Sequence, residues 1–145
     1  MKILDLKNPS KKMSKSEENP IGVISLFDRP EEVVSKIMKA TTDSIGKVHY
    51  DPISQPGISN LINIVTCLTN SSIESIERTF ENCGYGEFKK YVATKTSEFI
   101  ENIQKKYKEI INGNYIEEIL AKGIKISRDM ARNKYDLMKQ KMGLM

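Results

Sequence analysis

Histidine occurs once in this chain, at position 49, and cysteine twice, at positions 67 and 83. One imidazole excludes a catalytic or metal centre built on a histidine pair, and two cysteines with one histidine fall short of a zinc set. The sequence therefore reads as holding no metal. Nor do the cysteines suggest a disulfide framework. Cys67 lies in the apolar run Leu61 to Leu68 and reads as a reduced core residue, while Cys83 precedes Gly84 in a turn. No apolar run approaches the ~20 residues of a membrane span. The apolar stretch in Met1–Leu6 is too short for a secretory signal, so the chain reads as cytoplasmic. Internal repeats and low-complexity segments are absent. Arginine is scarce beside lysine, which favours loose phosphate contact over bidentate base reading.

What is present fits one domain, or a small domain with a tail. The chain has 145 residues, 39% hydrophobic and 29% charged, with a net charge of +4. That mild excess of positive charge is compatible with an RNA partner.

Ile3, Leu4 and Leu6 make a short strand-like segment ended by Asn8-Pro9, and residues 7 to 27 read as loop. Asp28 with Glu31 predicts a capping box for a first helix carrying Val33, Val34, Ile37 and Met38 on one face. Thr42 to Gln55 is a polar connector. A second helix begins at Pro56, with Ile58, Leu61, Ile62, Val65 and Leu68 at helical spacing. Ser71 and Glu74 predict a cap for a short third helix with Ile73, Ile76 and Phe80 inward. Cys83-Gly84-Tyr85-Gly86 breaks it. A fourth helix keeps a stripe of Phe88, Val92, Phe99, Ile103, Tyr107 and Ile110, and Asn112-Gly113-Asn114 stops it, with Gly113 placed for a left-handed cap. The last helix carries Ile116, Ile119, Leu120, Ile124, Ala131, Leu137 and Met138, and the short connector predicts an antiparallel hairpin. The expected fold class is mainly α: a bundle of about five helices with a short N-terminal strand/loop arm.

The densest chemistry lies in Lys12-Met13-Ser14-Lys15-Ser16. Two ammonium groups and two hydroxyls, with one apolar side chain among them, suit a flexible loop that wraps phosphate oxygens. The bland alternative is a solvated basic loop. The full string KMSKS resembles the signature loop of class I aminoacyl-tRNA synthetases. Downstream, Lys36-Ile37, Ala40, Thr42-Asp43-Ser44 and then Pro56-Gly57, Ser59-Asn60-Leu61 follow in an order similar to the tryptophanyl branch of that family in bacteria, over its tyrosyl relative.

The resemblance implies a substrate set and a division of the chain. It implies ATP with Mg²⁺, tryptophan and tRNA(Trp) as ligands and a homodimeric parent ligase. Lys12 and Lys15 would be the phosphate-contacting catalytic groups, with Met13, Ser14 and Ser16 completing the ATP-binding loop. Residues 1–27 would end a nucleotide-binding α/β domain, and 28–145 would form a helical anticodon-recognition domain. Family members also carry an N-terminal half with a HIGH-like motif and a tryptophan pocket. With His49 the only histidine, no HIGH-like pair exists here. The chain is therefore expected to be the C-terminal part of such a ligase, inactive without the missing half.

Other features carry less. His49 beside Tyr50 has no second histidine or cysteine nearby to support acid–base work, and Thr42-Asp43-Ser44 also reads as a plain helix stop. The last two helices present a basic face that includes Lys89, Lys125 and Arg128, interrupted by glutamates. It reads either as solvated surface or, given the resemblance, as tRNA-binding. A non-catalytic helical tRNA-binding module and a piece of a tyrosyl enzyme are the alternative functional readings.

Overall fold

The computed structural model describes residues 2–14 and 20–144. Five α-helices occur among them: α1 Pro30–Met38, α2 Pro56–Thr69, α3 Ile73–Thr79, α4 Tyr85–Asn112 and α5 Tyr115–Lys141. A short 3₁₀ turn spans Pro20–Gly22. The mainly helical class expected from the sequence is what forms. The chain divides into two units, Met1–Gln104 and Lys105–Met145.

The first unit is built around α2. Every residue from Gly57 to Val65 is buried, as befits a segment that is apolar or small on all sides. Val33 and Ile37 of α1, Ile76 of α3, and Phe88, Val92 and Ile100 of α4 complete the core with Leu6, Ala40, Val48 and Phe80. Phe80 meets the Phe88 ring edge-on, with centroids 5.2 Å apart, and lies 5.1 Å from Tyr91. Asn70 ends α2 in the left-handed conformation, φ 52°.

Several local expectations are corrected. Helix α1 is capped at Arg29, whose N–H donates to the Glu32 carboxylate at 2.9 Å. Asp28 instead turns inward, accepting from Ser25 N–H at 2.8 Å and from Lys36 Nζ at 2.6 Å. The cap of α3 is Ser72, whose hydroxyl accepts from Ser75 N–H at 3.2 Å. Cys67 is exposed, not a core residue, because the buried face of α2 ends as the helix reaches the edge of the unit. In α4 the buried stripe runs Phe88, Val92, Ala93, Thr96, Ile100; Phe99 lies on the adjacent face, 47% exposed. Small Ala93 and Thr96, whose hydroxyl donates to the Val92 carbonyl at 2.7 Å, are tolerated inside because they leave no polar group unpaired.

In the second unit no residue of α5 is buried, and Ile116, Ile119, Leu120, Ile124, Leu137 and Met138 all remain exposed. The apolar stripe read along the last helix is thus left uncovered. Gly113 does not take positive φ; among described glycines only Gly46 and Gly143 do. No described helix is long and apolar enough to cross a membrane.

Candidate functional site

The base of the loop that bears Lys12 is held by backbone pairing. Leu4 and Lys12 form an isolated antiparallel bridge, with Asp5 N–H donating to the Lys11 carbonyl at 2.9 Å and Met13 N–H to the Ile3 carbonyl at 3.0 Å. Asn8-Pro9-Ser10 reverses the chain between them. Lys11 N–H donates to the Asn8 carbonyl at 2.9 Å, and the Ser10 hydroxyl donates to Asn8 Oδ1 at 2.5 Å. Asp5 is buried, and one oxygen of its carboxylate accepts from Lys7 N–H at 2.7 Å and Asn8 N–H at 2.8 Å. It spends its charge fixing its own turn, as aspartates do in such positions.

Gly22, on the return side of the loop, lies against that carboxylate, and its carbonyl accepts Leu6 N–H at 2.9 Å. A Cβ at position 22 would collide with the Asp5 carboxylate. Close approach explains the glycine here.

The other side of the strand-like segment is held by the core. Asn60 of α2, 1% exposed, accepts Leu4 N–H through Oδ1 at 2.8 Å and donates through Nδ2 to the Leu4 carbonyl at 2.8 Å. Thr41 N–H donates to the Leu6 carbonyl, and Thr41 Oγ1 to the Lys7 carbonyl, each at 2.8 Å. Gly57, in the first turn of α2, packs under the Thr41 carbonyl so closely that a Cβ would strike that oxygen. Each downstream segment quoted with the loop thus has a physical task. Ala40-Thr41 receives the end of the strand, Gly57 permits the approach, and Asn60 substitutes for a neighbouring strand.

Lys12 and Ser14 are exposed, and Met13 is half-buried against the core. Together they line a cleft of about 460 Å³ with Lys2, Val23 and Ile24. Its described polar lining is cationic or hydroxylic, which suits an anion. Lys15 and Ser16 lie outside the described residues.

Thr42-Asp43-Ser44 is more than a helix stop. The Asp43 carboxylate accepts from the Tyr85 hydroxyl at 2.5 Å and from Ile45 N–H at 2.8 Å. Gln55 Nε2 donates to the Tyr85 oxygen at 2.7 Å and to the Lys47 carbonyl at 2.9 Å. Burial opposes ionisation of Asp43, but the bonds from Tyr85, Ile45 and Gln55 outweigh it and hold its carboxyl below the usual value. Burial, with the bond to Asp43, pushes the Tyr85 phenol up. This network ties the 43–47 connector to the start of α4.

The other sequence candidates fall in separate places. His49 Nδ1 sits 2.7 Å from Glu77 Oε1, which also accepts Tyr50 N–H at 2.6 Å, so the pair anchors the connector to α3. Lys89 leaves the proposed basic face. Its Nζ donates to the Ala40 carbonyl at 2.8 Å, just past the end of α1, and burial pushes its pKa down. Lys125 and Arg128 are exposed on α5. Sequence reasoning missed Asp5, Gly22, Gly57 and Asn60 as supports of the site. The one available signal was a buried-looking polar Asn60 inside an apolar helix.

Comparison with known proteins adds a family. The tRNA synthetases of class I (W and Y) match residues 1–101. The tryptophan–tRNA ligase of Malacoplasma penetrans is 49% identical over 143 residues, covering 99% of this chain and 43% of that protein. The Bacillus anthracis tryptophan–tRNA ligase is 41% identical over 99% of this chain and 44% of its own length. The crystal structure of tryptophanyl-tRNA synthetase from Mycoplasma pneumoniae superimposes with a TM-score of 0.70 at 37% identity, covering 74% of this chain and 35% of that one. This chain thus spans less than half the length of the relatives it matches.

Proposed function

We propose, since this chain belongs to the class I tRNA synthetases (W and Y), that it is the C-terminal portion of a tryptophan–tRNA ligase. The complete activity would need the remaining length of the ligase, which this chain does not span. Residues 1–27 would complete the nucleotide-binding domain, and 28–145 would form the helical, anticodon-recognising domain. The assembled ligase would act in the cytoplasm as a homodimer.

In the proposed reaction the tryptophan carboxylate attacks the α-phosphorus of ATP. The bond to the bridging oxygen breaks, tryptophanyl-adenylate forms and pyrophosphate leaves. A hydroxyl at the 3′ end of tRNA(Trp) then attacks the aminoacyl carbonyl, the ester forms and AMP leaves. Negative charge gathers on the departing pyrophosphate, so cations that close on it act in the transition state. Lys12 and Lys15 are assigned that role, with Ser14 and Ser16 as hydroxyl donors. The cleft's described lining offers no carboxylate. Mg²⁺ does not fit as an ion held by these residues; it would arrive on the phosphate oxygens, and no step is assigned to it.

One observation carries this reading: the chain on either side of Lys12 is tied to the core through Asn60, Thr41 and Gly22, while Lys12 itself stays exposed at a cleft whose charged lining residues are Lys2 and Lys12, set among apolar side chains. Identities of 49% and 41% to tryptophan–tRNA ligases support tryptophan over tyrosine.

The test is aminoacylation by this chain together with the portion of the Malacoplasma penetrans ligase outside its match. Charging of tRNA(Trp) with tryptophan is expected. Charging with tyrosine, or tRNA binding with no charging by any combination, would overturn the reading in favour of a tyrosyl enzyme or a non-catalytic tRNA-binding module.

A further inference from the structure

On its return side the loop leads into an arm, Pro20 to Asp28, whose Val23 and Ile24 line the same cleft as Lys12. Residues 23–28 belong to no helix or strand, and side chains from elsewhere hold their backbone. Lys36 of α1 donates from Nζ to the Val23 carbonyl at 2.8 Å and to Asp28 Oδ2 at 2.6 Å. The same carboxylate oxygen accepts Ser25 N–H at 2.8 Å. From α4, Gln104 Nε2 donates to the Leu26 carbonyl at 2.9 Å and to the Asp28 carbonyl at 2.8 Å. Both members of the ion pair are withdrawn from water, the Lys36 and Asp28 side chains being 16% and 13% exposed.

We propose that Lys36 is a positioning residue for the activation step: by gripping the Val23 carbonyl and Asp28 together, it sets the wall of the cleft across from which Lys12 meets phosphate. The inference rests on the ligase reading above. Stability alone is a poor reason for a pair so withdrawn from water, since desolvation of both charges offsets most of their attraction and packed apolar side chains serve as well. What the pair supplies is direction, because one ammonium has to meet two fixed oxygens. One of those oxygens belongs to Val23, a residue of the cleft wall. Lys36 is not itself a phosphate ligand: its ammonium is turned to these two acceptors, and it lies outside the cleft's described lining. The two arms of the loop are fixed from different helices. Asn60 of α2 holds Leu4, which bridges to Lys12, while Lys36 of α1 holds Val23. The arms meet where Leu6 N–H donates to the Gly22 carbonyl at 2.9 Å. A shift of the return arm therefore alters the cleft at Lys12 without breaking the Leu4–Lys12 bridge.

Lys36→Met keeps the stem and removes the charge. In the chain alone, amide hydrogen exchange is expected to quicken by at least about tenfold at Ser25 and Leu6 and to stay unchanged at Ile62 and Val65 of α2. Tryptophan-dependent ATP–pyrophosphate exchange is then measured with this chain and the portion of the Malacoplasma penetrans ligase outside its match. Parent, Lys36→Met, Lys12→Ala and the double variant are compared at a temperature where circular dichroism shows each folded. In Lys36→Met, kcat is expected to fall by at least about tenfold while KM for tryptophan stays within about twofold of the parent. The double variant is expected to lose far less than the product of the two single losses, because Lys36 acts through the wall that Lys12 faces. The paired variant Lys36→Met, Asp28→Leu leaves no buried charge unpaired and is expected to be as slow, which keeps the test decisive if the single variant does not fold. A smaller loss of kcat in these variants, or losses that multiply with that of Lys12→Ala, would make Lys36 a structural anchor only and overturn the proposal, although the ligase reading stands. Absence of exchange by the parent combination overturns both.

Discussion

Asn60 grips Leu4 by both backbone groups: its Oδ1 accepts the Leu4 N–H and its Nδ2 donates to the Leu4 carbonyl, each at 2.8 Å. A side chain of the central helix thereby pairs with a strand-like segment as a neighbouring strand would. Asn60→Ala removes both bonds and leaves two backbone groups unpaired in a half-buried site. The expected loss is about 2–4 kcal/mol of stability, since two unmet groups at roughly 1–3 kcal/mol each would cost about 2–6 if fully buried and these are only half-buried. Urea unfolding measures it. Faster exchange of the Leu4 and Met13 amides than of α2 amides would localise the effect to the loop base. A loss below about 0.5 kcal/mol would show that water replaces Asn60 without cost.

That contact marks how far the sequence could be read. The helices announced themselves through apolar spacing, because Ile58, Leu61, Ile62 and Val65 fall on the buried side of α2 and are buried. The loop announced itself by its charges. What supports the loop did not, because Asn60, Thr41 and Gly22 meet residues 56, 34 and 17 positions away or act through close backbone approach. Nothing in a periodicity encodes such contacts. Cys67 and Phe99 were misplaced for a related reason. An apolar stripe shows which residues can be buried, but not how much of the helix has a neighbour to bury them. α5 is the extreme case, amphipathic yet without one buried residue.

Two glycine substitutions should move stability in opposite directions. Gly57→Ala places a methyl against the Thr41 carbonyl oxygen and should cost about 1–3 kcal/mol, the usual scale of overpacking. Gly123→Ala in α5 meets nothing within 4 Å and should raise helix stability by about 0.5–1 kcal/mol. Thermal unfolding followed by circular dichroism checks both signs. Equal effects would contradict the tight packing at Gly57.

Asp43 should give the protein an acid-side dependence. Its carboxyl is held below the ordinary value of 3.8, through the bonds from Tyr85, Ile45 and Gln55 against the opposing effect of burial. A group whose folded pKa is depressed contributes stability above its unfolded value and loses it as pH falls through the folded one. Asp43→Asn should therefore lower the urea midpoint at pH 7 and make the fall from pH 4 downward shallower than in the parent. Tyr85→Phe should act in the same direction by removing a donor to the carboxylate. Parallel pH profiles for parent and Asp43→Asn would remove Asp43 from the acid transition.

The exposed cations of α5 are expected to serve tRNA through its phosphates. Charge reversal at Lys125 and Arg128 should weaken binding to all tRNAs and reduce the steepness of its salt dependence by about one to two counterions. Changing the anticodon should reduce only the preference for tRNA(Trp). Filter binding across several salt concentrations separates the two. Binding that ignores the reversals would leave this face as solvated surface.

The central claim is that the loop from Lys12 to Ser16 stabilises the departing pyrophosphate. Its most direct test is tryptophan-dependent ATP–pyrophosphate exchange by this chain assembled with the remaining portion of a related ligase, compared for the parent, Lys12→Ala and Lys15→Ala. The account predicts no exchange by the chain alone and exchange by the assembly. Each lysine removed should reduce the rate by roughly 30- to 1,000-fold, the equivalent of about 2–4 kcal/mol of transition-state stabilisation, with the larger loss at Lys15 and tryptophan affinity nearly unchanged. Exchange by the unassembled chain, or an assembly whose rate ignores both substitutions, would contradict it.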